Sequence, residues 1–224
     1  MDRLPPCFRC GHQPCECRDG ITLYHADCRE VLPLLEPGSV DLVLTDPPYG
    51  IEHETDYATK YKNAKTYAKI HDDAGPFDPH HLLVFPRLIV WGGNCFASAL
   101  PDHPGWLAWI KTHRNGARIR QAEAEFAWTN CVRRPQCFRT CWIGAYKDLE
   151  ASEPILHPTQ KPMALIRWCM EVARGDGLVL DPYAGSGTTG RACKDLGRKC
   201  IMVEIEEKYC EIAAGRLEQE VLFT

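Results

Sequence analysis

The sequence predicts an α/β fold in which a mainly parallel sheet is covered by helices on both faces. Short apolar stretches of strand length alternate along the chain with longer stretches whose apolar residues recur at helical spacing. Continuous apolar strands are typical of parallel sheets, because both faces of such sheets are buried. The chain has 224 residues, 45% of them hydrophobic and 25% charged, so it can bury a sizeable core.

The predicted elements follow one another in a regular order. Strands are expected at 21–24, 40–44, 88–91, 106–111, 125–129, 178–180 and 200–203. A first helix carries Val31, Leu34 and Leu35 and ends before Pro37. Further helices are expected at 79–85, 161–173, 188–196 and 207–217. Residues 52–73 contain lysines and tyrosines but few apolar residues, which predicts a long loop.

Charge and hydropathy limit the classes of partner. The net charge is -4 at pH 7, so nucleic-acid binding would need a local basic patch. Residues 111–139 supply one, with seven Lys and Arg against two Glu. No apolar run is long enough to span a bilayer, and the N-terminus lacks a secretory pattern. We therefore expect a cytoplasmic protein without a membrane partner.

Ten of the thirteen cysteines divide into two kinds, and the odd total argues against a disulfide scaffold. The other three, Cys131, Cys137 and Cys141, form a second cluster with weaker metal-ligand spacing. Six lie in apolar stretches and are expected to be small core residues: Cys28, Cys95, Cys169, Cys193, Cys200 and Cys210. Residues 1–20 form a polar Cys-rich segment that contains Cys7, Cys10, Cys15 and Cys17. Cys-x-x-Cys followed by Cys-x-Cys can present four thiolates to one structural zinc ion, with His12 or His25 as a substitute ligand. The alternative is a flexible tail with reduced thiols.

A glycine-rich loop joins the predicted strand at 178–180 to the following helix. Gly185 and Gly187 would let a cofactor approach the backbone, and Glu204 ends the next strand, where an acid accepts hydrogen bonds from a ribose. Gly190 nearly completes the dinucleotide pattern Gly-x-Gly-x-x-Gly, so a nicotinamide dehydrogenase stays open as an alternative. The lysine of a phosphate-binding loop is absent, which argues against a nucleoside triphosphatase.

A second loop, Thr45-Asp-Pro-Pro-Tyr-Gly50, follows the strand at 40–44. An exocyclic amine of a base is a poor nucleophile because its lone pair is delocalised into the ring. The Asp46 carboxylate and the Pro47 carbonyl can accept its two N–H groups, and Tyr49 can stack on the base, a contact worth ~1–3 kcal/mol. The alternative is an N-capping Asp before a proline turn. Ligands gather at the carboxyl ends of parallel strands, which favours a site shared by both loops.

Three motifs, in this order, resemble those of the S-adenosylmethionine-dependent DNA amino-methyltransferases in their permuted β-class arrangement. They are Asp46-Pro-Pro-Tyr49, His157-Pro-Thr-Gln-Lys-Pro162 and Asp181-Pro-Tyr-Ala-Gly-Ser-Gly187, and the resemblance covers residues 21–217. It implies a Rossmann-like seven-stranded sheet with one antiparallel strand, and methyl transfer to adenine N6 or cytosine N4 in double-stranded DNA. Asp at position 46 favours adenine, because the cytosine-N4 members usually carry Ser there. A bacterial or phage-encoded enzyme of restriction–modification type is implied.

The resemblance also implies roles for single residues. The catalytic loop that holds the base would be Asp46, Pro47, Pro48 and Tyr49. The cofactor pocket would be lined by Asp181, Pro182, Tyr183, Gly185, Ser186, Gly187 and Thr188, with Glu204 on the ribose, Asp27 near the adenine, and Thr159 and Lys161 at the methionine end. Tyr183 stands where the family usually has Phe, which keeps the ring and adds a hydroxyl. His157 is expected to be a structural hydrogen-bonding residue.

DNA contacts are expected from basic residues in two parts of the methyltransferase domain, which would span 21–224. They are Lys60, Lys62, Arg114, Arg118, Arg120, Arg133 and Arg134. Any one of them could instead belong to an ordinary solvated surface. The target-recognition region would lie at about 112–156 and is short. DNA recognition would then need a second subunit in a homodimer or the Cys-rich segment, or it would have low sequence specificity.

Other functions are weighed against this one. RNA or protein-glutamine methylation would use related loops, but the motif order and the basic stretch favour DNA. A nicotinamide dehydrogenase would leave the Asp46 loop unexplained. A catalytically inactive DNA-binding module is disfavoured by the intact motif residues.

Overall fold

An eight-stranded sheet forms the centre of the computed structural model, which describes residues 4–52, 71, 73–111, 122–143, 146–147 and 155–219. Its strands are β1 (Ile21–His25), β2 (Leu42–Thr45), β3 (Leu88–Trp91), β4 (Trp106–Ile110), β5 (Ala124–Thr129), β6 (Gln136–Arg139), β9 (Val179–Asp181) and β10 (Cys200–Glu204). A separate two-stranded ribbon pairs β7 (Trp142–Ile143) with β8 (Tyr146–Lys147). The order in the main sheet is β1-β10-β9-β2-β3-β5-β4-β6.

The sheet has the predicted mixed topology with one strand more than expected. Only β5 runs against its neighbours β3 and β4, and the other strand pairs of this sheet are parallel. All seven predicted strands are present, and the additional strand is β6. Its sequence, Gln-Cys-Phe-Arg, contains no apolar run because it is an edge strand whose residues are mostly exposed. The expected count of seven is therefore corrected to eight within the described residues.

Helices cover both faces of the sheet, as predicted. Strand residues alternate between two apolar clusters: Leu42 and Leu44 face one, and Val43 faces the other. The first cluster includes residues of α2 (Met163–Ala173), α3 (Thr188–Asp195) and α4 (Glu207–Glu218), and the second includes residues of α1 (Cys28–Val31). Burial of these clusters supplies the main driving force for the fold.

Two local expectations are wrong. Residues 79–85 do not form a helix but a series of turns, in which Leu82 N–H donates to the Pro79 carbonyl over 2.8 Å. Pro86 follows directly and disfavours helical backbone at the residue before it. Cys95 is exposed, although the other five cysteines expected in the core are buried.

The central strands bring the two candidate loops to one edge of the sheet. β2 pairs directly with β9, in the register Leu42 to Val179 and Val43 to Leu180, and β9 pairs with β10. All three strands are parallel, so the loops after Thr45, Asp181 and Glu204 leave from the same side. No helix in the described part of the chain has the length and apolar character needed to cross a bilayer.

Candidate active site

The Asp46 loop and the glycine loop are joined by a buried hydrogen bond. Thr45 Oγ1 donates to Asp181 Oδ1 over 2.8 Å, and Tyr183 N–H donates to the same oxygen over 3.2 Å. Burial raises the pKa of Asp181 to about 6. Asp181 therefore sits between the two loops and fixes both of their starting points.

The glycine loop adopts the backbone that its sequence predicts. Gly185 and Gly187 have positive φ values of 50° and 78°, which favour glycine. Glu204 accepts a hydrogen bond from Gly185 N–H over 2.7 Å and another from Glu206 N–H over 2.8 Å. Burial raises the pKa of the Glu204 carboxyl. The N-cap of α3 is Gly187 and makes no side-chain hydrogen bond, so the helix presents N–H groups toward this loop.

The Asp46 loop is held from both ends. Tyr49 Oη donates to Asp46 Oδ1 over 2.5 Å, and Pro47 is buried. After Tyr49, the Gly50 and Ile51 N–H groups both donate to the Asp73 carboxylate. Asp73 was missed from the sequence because it lies at the end of a stretch that only predicts a loop.

A buried lysine links the Asp46 carboxylate to the sheet. Lys161 Nζ forms an ion pair with Asp46 and lies 3.1 Å from Glu125 Oε2, and its side chain is 6% exposed. Lys111 forms an ion pair with the other oxygen of Glu125. The four side chains form a charge network that we call the Lys161 network: Asp46, Lys161, Glu125 and Lys111.

The Lys161 network shifts the pKa values of its members in different directions. Burial raises the pKa of Asp46, and the Lys161 ammonium acts against that shift. Burial also works against ionisation of Glu125, but the two lysine ammonium groups lower its pKa to about 2. For Lys161, the attraction of both carboxylates outweighs burial and raises the pKa. Lys161 therefore stays charged, and Asp46 is the more basic of its two partners.

The His157–Pro162 motif bridges the two loops. Gln160 Oε1 lies 3.3 Å from Ser186 Oγ of the glycine loop, while the adjacent Lys161 contacts Asp46. The His157 ring packs on Tyr209 at a centroid distance of 4.3 Å, and its Nδ1 lies 3.1 Å from Thr159 Oγ1. Lys161 thus lies at the Asp46 loop, while Thr159 contacts His157. The predicted contact of both residues with the methionine end of the cofactor stays a prediction.

The remaining predicted cofactor residues lie around the same edge. The Tyr183 hydroxyl lies 2.9 Å from His81 Nε2, and its ring packs edge-on against Phe77. Asp27 caps α1 by accepting from Arg29 N–H, and it also pairs with the Arg29 guanidinium. Pro182, Ser186 and Thr188 are buried in the glycine loop and the first turn of α3.

Sequence reasoning missed Glu125 and Lys111. Both stand in predicted strands or at their ends, where a charged residue usually indicates the solvent-facing side. No pattern distinguishes a charge that faces a buried lysine from one that faces water. Their proximity follows from the register of β4 and β5, in which Trp109 lies opposite Glu125, and that register is visible only in the structure.

Few of the predicted DNA contacts can be placed. Lys60, Lys62, Arg114, Arg118 and Arg120 lie outside the described residues. Arg133 and Arg134 are exposed in the turn between β5 and β6. Within the predicted target-recognition region at about 112–156, residues 124–129 and 136–139 are strands of the central sheet. The predicted zinc ligands Cys7, Cys10, Cys15 and Cys17 are brought together.

Comparison with known proteins places this site in a family. Residues 106–215 match the family model described as DNA methylase, of the N6/N4 type. The type II methyltransferase M.HpaI of Haemophilus parainfluenzae is 27% identical over 224 residues, which cover 83% of this chain and 70% of that protein. The type II methyltransferase M.HinfI of Haemophilus influenzae is 24% identical, over 88% of this chain and 68% of that protein. These matches support an S-adenosylmethionine-dependent DNA amino-methyltransferase.

Solved structures agree with this assignment. The M1.HpyAVI–SAM complex is 25% identical and superposes with a TM-score of 0.52, covering 88% of this methyltransferase and 99% of that chain. The cytosine-N4-specific PvuII DNA methyltransferase has a TM-score of 0.59 and 15% identity, over 92% of this chain and 88% of that one, which shows the shared fold alone. The resemblance stated from the three motifs is thereby confirmed at the level of the family.

S-adenosylmethionine is the cofactor of this methyltransferase, and the residues at the sheet edge fit it. The Glu204 carboxylate can accept hydrogen bonds from ribose hydroxyls, and the Tyr183 ring offers an aromatic face. The uncapped N-terminus of α3 favours negative charge near the glycine loop. When bound, the cofactor supplies an electrophilic methyl group.

Gly92 provides a test of how tightly Tyr49 must be held in this methyltransferase. A Cβ atom at Gly92 would lie 2.0 Å from Tyr49 Cε1, so Gly92→Ala should push the ring away from Asp46. We expect methyl transfer to fall by about a hundredfold, as for a misplacement of roughly 1 Å. Steady-state kinetics with saturating S-adenosylmethionine measure the effect.

Gly38→Ala is the matched control. Gly38 has φ +76°, close to the +74° of Gly92, but a Cβ atom there would meet nothing within 4 Å. Both variants should lose similar stability from backbone strain, about 1–2 kcal/mol. Equal activities of the two variants would contradict the role given to Tyr49.

Proposed function

We propose that this protein transfers a methyl group from S-adenosylmethionine to N6 of adenine in double-stranded DNA. The observation that carries the proposal is the partly buried Asp46 carboxylate, held by Tyr49 and Lys161 beside the glycine loop. Aspartate at this position is the feature that, by family resemblance, favours adenine over cytosine. The type II names of the relatives suit an enzyme that accompanies a restriction system.

Asp46 acts on the amine in this proposal. Its carboxylate accepts one N–H of the exocyclic amine and the Pro47 carbonyl accepts the other, which localises the nitrogen lone pair. Because burial raises the pKa of Asp46, it accepts a proton more readily than an exposed aspartate would. Lys161 keeps the carboxylate ionised before reaction. The methylated nitrogen therefore loses its extra proton at the site where the amine was bound, without a covalent enzyme intermediate.

The base must leave the duplex to reach this site. Asp46 and Tyr49 lie partly buried at the sheet edge, so an adenine would enter only after rotating out of the helix. Arg133 and Arg134 are exposed and would contact phosphates, together with Lys60, Lys62, Arg114, Arg118 and Arg120. A homodimer and a cytoplasmic location stay predictions.

Cytosine N4 is the second candidate. The fold is shared with a cytosine-N4-specific enzyme, and the same hydrogen bonds would suit either exocyclic amine. Lys161 does not itself distinguish the two bases, because it contacts Asp46 and not the base.

Mass spectrometry of nucleosides tests the proposal. Unmodified plasmid DNA is incubated with the enzyme and methyl-deuterated S-adenosylmethionine and then digested to nucleosides. We expect labelled N6-methyladenine. Labelled N4-methylcytosine alone would contradict the choice of adenine, and label in neither base would contradict action on DNA. Asp46→Ala serves as the control for contaminating methyltransferases.

A further inference from the structure

The Cys-rich segment takes no part in the proposed methyl transfer, yet its four sulfur atoms converge. The Sγ atoms of Cys7, Cys10, Cys15 and Cys17 all lie within 4.8 Å of one another. The Sγ atoms of Cys7 and Cys17 are 4.0 Å apart, and those of Cys10 and Cys15 are also 4.0 Å apart. Zinc–sulfur bonds of about 2.3 Å in a tetrahedron put sulfur atoms roughly 3.8 Å apart. Disulfides would need sulfurs about 2.05 Å apart, so the four thiols are not paired covalently.

The backbone around these sulfurs is folded into a compact turn. Gly11 N–H donates to the Cys7 carbonyl over 2.7 Å, and Cys7 N–H donates to the His12 carbonyl over 3.0 Å. Cys17 N–H points at Cys15 Sγ over 3.5 Å. Amide donors aimed at sulfur stabilise thiolate charge, which is how ligands of a metal are commonly supported.

The segment is attached to the open edge of the sheet. β1 is an edge strand, and Phe8 N–H donates to the Leu23 carbonyl over 2.7 Å. Arg9 donates to the Ile21 carbonyl over 2.8 Å, and its two terminal guanidinium nitrogens donate to the two Asp19 carboxylate oxygens. The chain around the cysteines therefore covers an edge that would otherwise present unpaired backbone groups.

We propose that Cys7, Cys10, Cys15 and Cys17 bind one structural zinc ion that fastens residues 7–17 over strand β1. Four thiolates and Zn²⁺ carry a net charge of two negative units, and Arg9 is the neighbouring cation that interacts with Cys7 and Cys17. Cys7 is 1% exposed, so the ion would be shielded from water on one side. All four positions are taken by sulfur, which is the arrangement of a structural and not of a catalytic site.

Elemental analysis of the purified full-length protein tests the site. We expect about one zinc per chain, as for a closed tetrahedral Cys site. Cys10→Ser and Cys17→Ser should each lose most of the zinc, while Cys137→Ser, an exposed cysteine of β6, should keep it. Wild-type protein that carries no zinc, or iron in its place, would overturn the proposal. Loss of zinc from Cys137→Ser equal to that from Cys10→Ser would also overturn it.

A second measurement covers the case in which the serine variants fail to fold. Wild-type protein is treated with a zinc chelator, and hydrogen exchange is followed by mass spectrometry with and without added zinc. Removal of zinc should speed exchange in peptides that cover residues 4–12 and 21–25, and added zinc should restore protection. Unchanged exchange in both peptides after the zinc has been removed would overturn the attachment of the segment to β1.

Discussion

Replacement of Asp46 with alanine is expected to lower kcat for methyl transfer at least about a hundredfold, as when one preorganised group is removed from a transition state. In the proposed mechanism, this carboxylate accepts a hydrogen bond from the amine and then takes up the proton that the methylated nitrogen releases. Binding of S-adenosylmethionine, measured by calorimetry, should change little, because Asp181 and Glu204 stay in place. The fold should also survive, since Lys161 keeps its contact with Glu125.

The Asp46→Asn variant distinguishes the contribution of the hydrogen bond at residue 46 from the contribution of its charge. Asparagine keeps one acceptor oxygen but cannot take up a proton, so its activity should lie between that of the alanine variant and that of the wild type. Methyl transfer by Asp46→Ala at the wild-type rate would show that Asp46 does not act on the amine.

Replacement of Lys161 with methionine is expected to cost both stability and activity. Lys161 is the buried cation between Asp46 and Glu125, and its removal leaves two carboxylates without a shared partner. Breaking a buried ion pair in this way costs about 3–5 kcal/mol of unfolding free energy. The pKa of Asp46, already raised by burial, should rise further. Because Asp46 is proposed to act in its ionised form, the acid limb of the pH–rate profile should move to higher pH.

Denaturant titration and pH–rate profiles measure these two effects. Lys199→Met, at an exposed lysine, is the control for loss of a surface charge. Glu125→Gln combined with Lys161→Met removes one of the two carboxylates that lost Lys161, so it should recover part of the stability. It should also move the acid limb partway back, because the Glu125 charge raises the pKa of Asp46. A Lys161→Met protein as stable as Lys199→Met, with an unshifted profile, would contradict the network.

Strand and loop positions followed from the sequence because they depend on local patterns. Leu42–Leu44 and Val179–Leu180 are continuous apolar runs, and parallel central strands require such runs on both faces. Gly185 and Gly187 have the positive φ values that their loop position predicts. The location of Asp46 beside this loop then followed from the rule that parallel strands end at one edge.

Features that depend on distant partners could not be predicted. Lys161 was expected at the methionine end of the cofactor. Its ammonium contacts Glu125 and also Asp46, which lies 115 residues earlier in the chain. No local pattern around Lys161 indicates either contact. Strand β6 was not predicted because an exposed edge strand needs no apolar run. The helix expected at 79–85 gave way to turns, because Leu82 can be buried by a turn as well as by a helix.

The central claim is that the Asp46 loop and the glycine loop form one methyl-transfer site. A crystal structure with S-adenosylmethionine or a nonreactive analogue and a short DNA duplex tests it most directly. The account predicts an extruded adenine whose N6 is hydrogen-bonded to Asp46 and lies within about 3.5 Å of the position of the transferred methyl group. A base bound away from Asp46, or a cofactor bound away from Gly185, would contradict it.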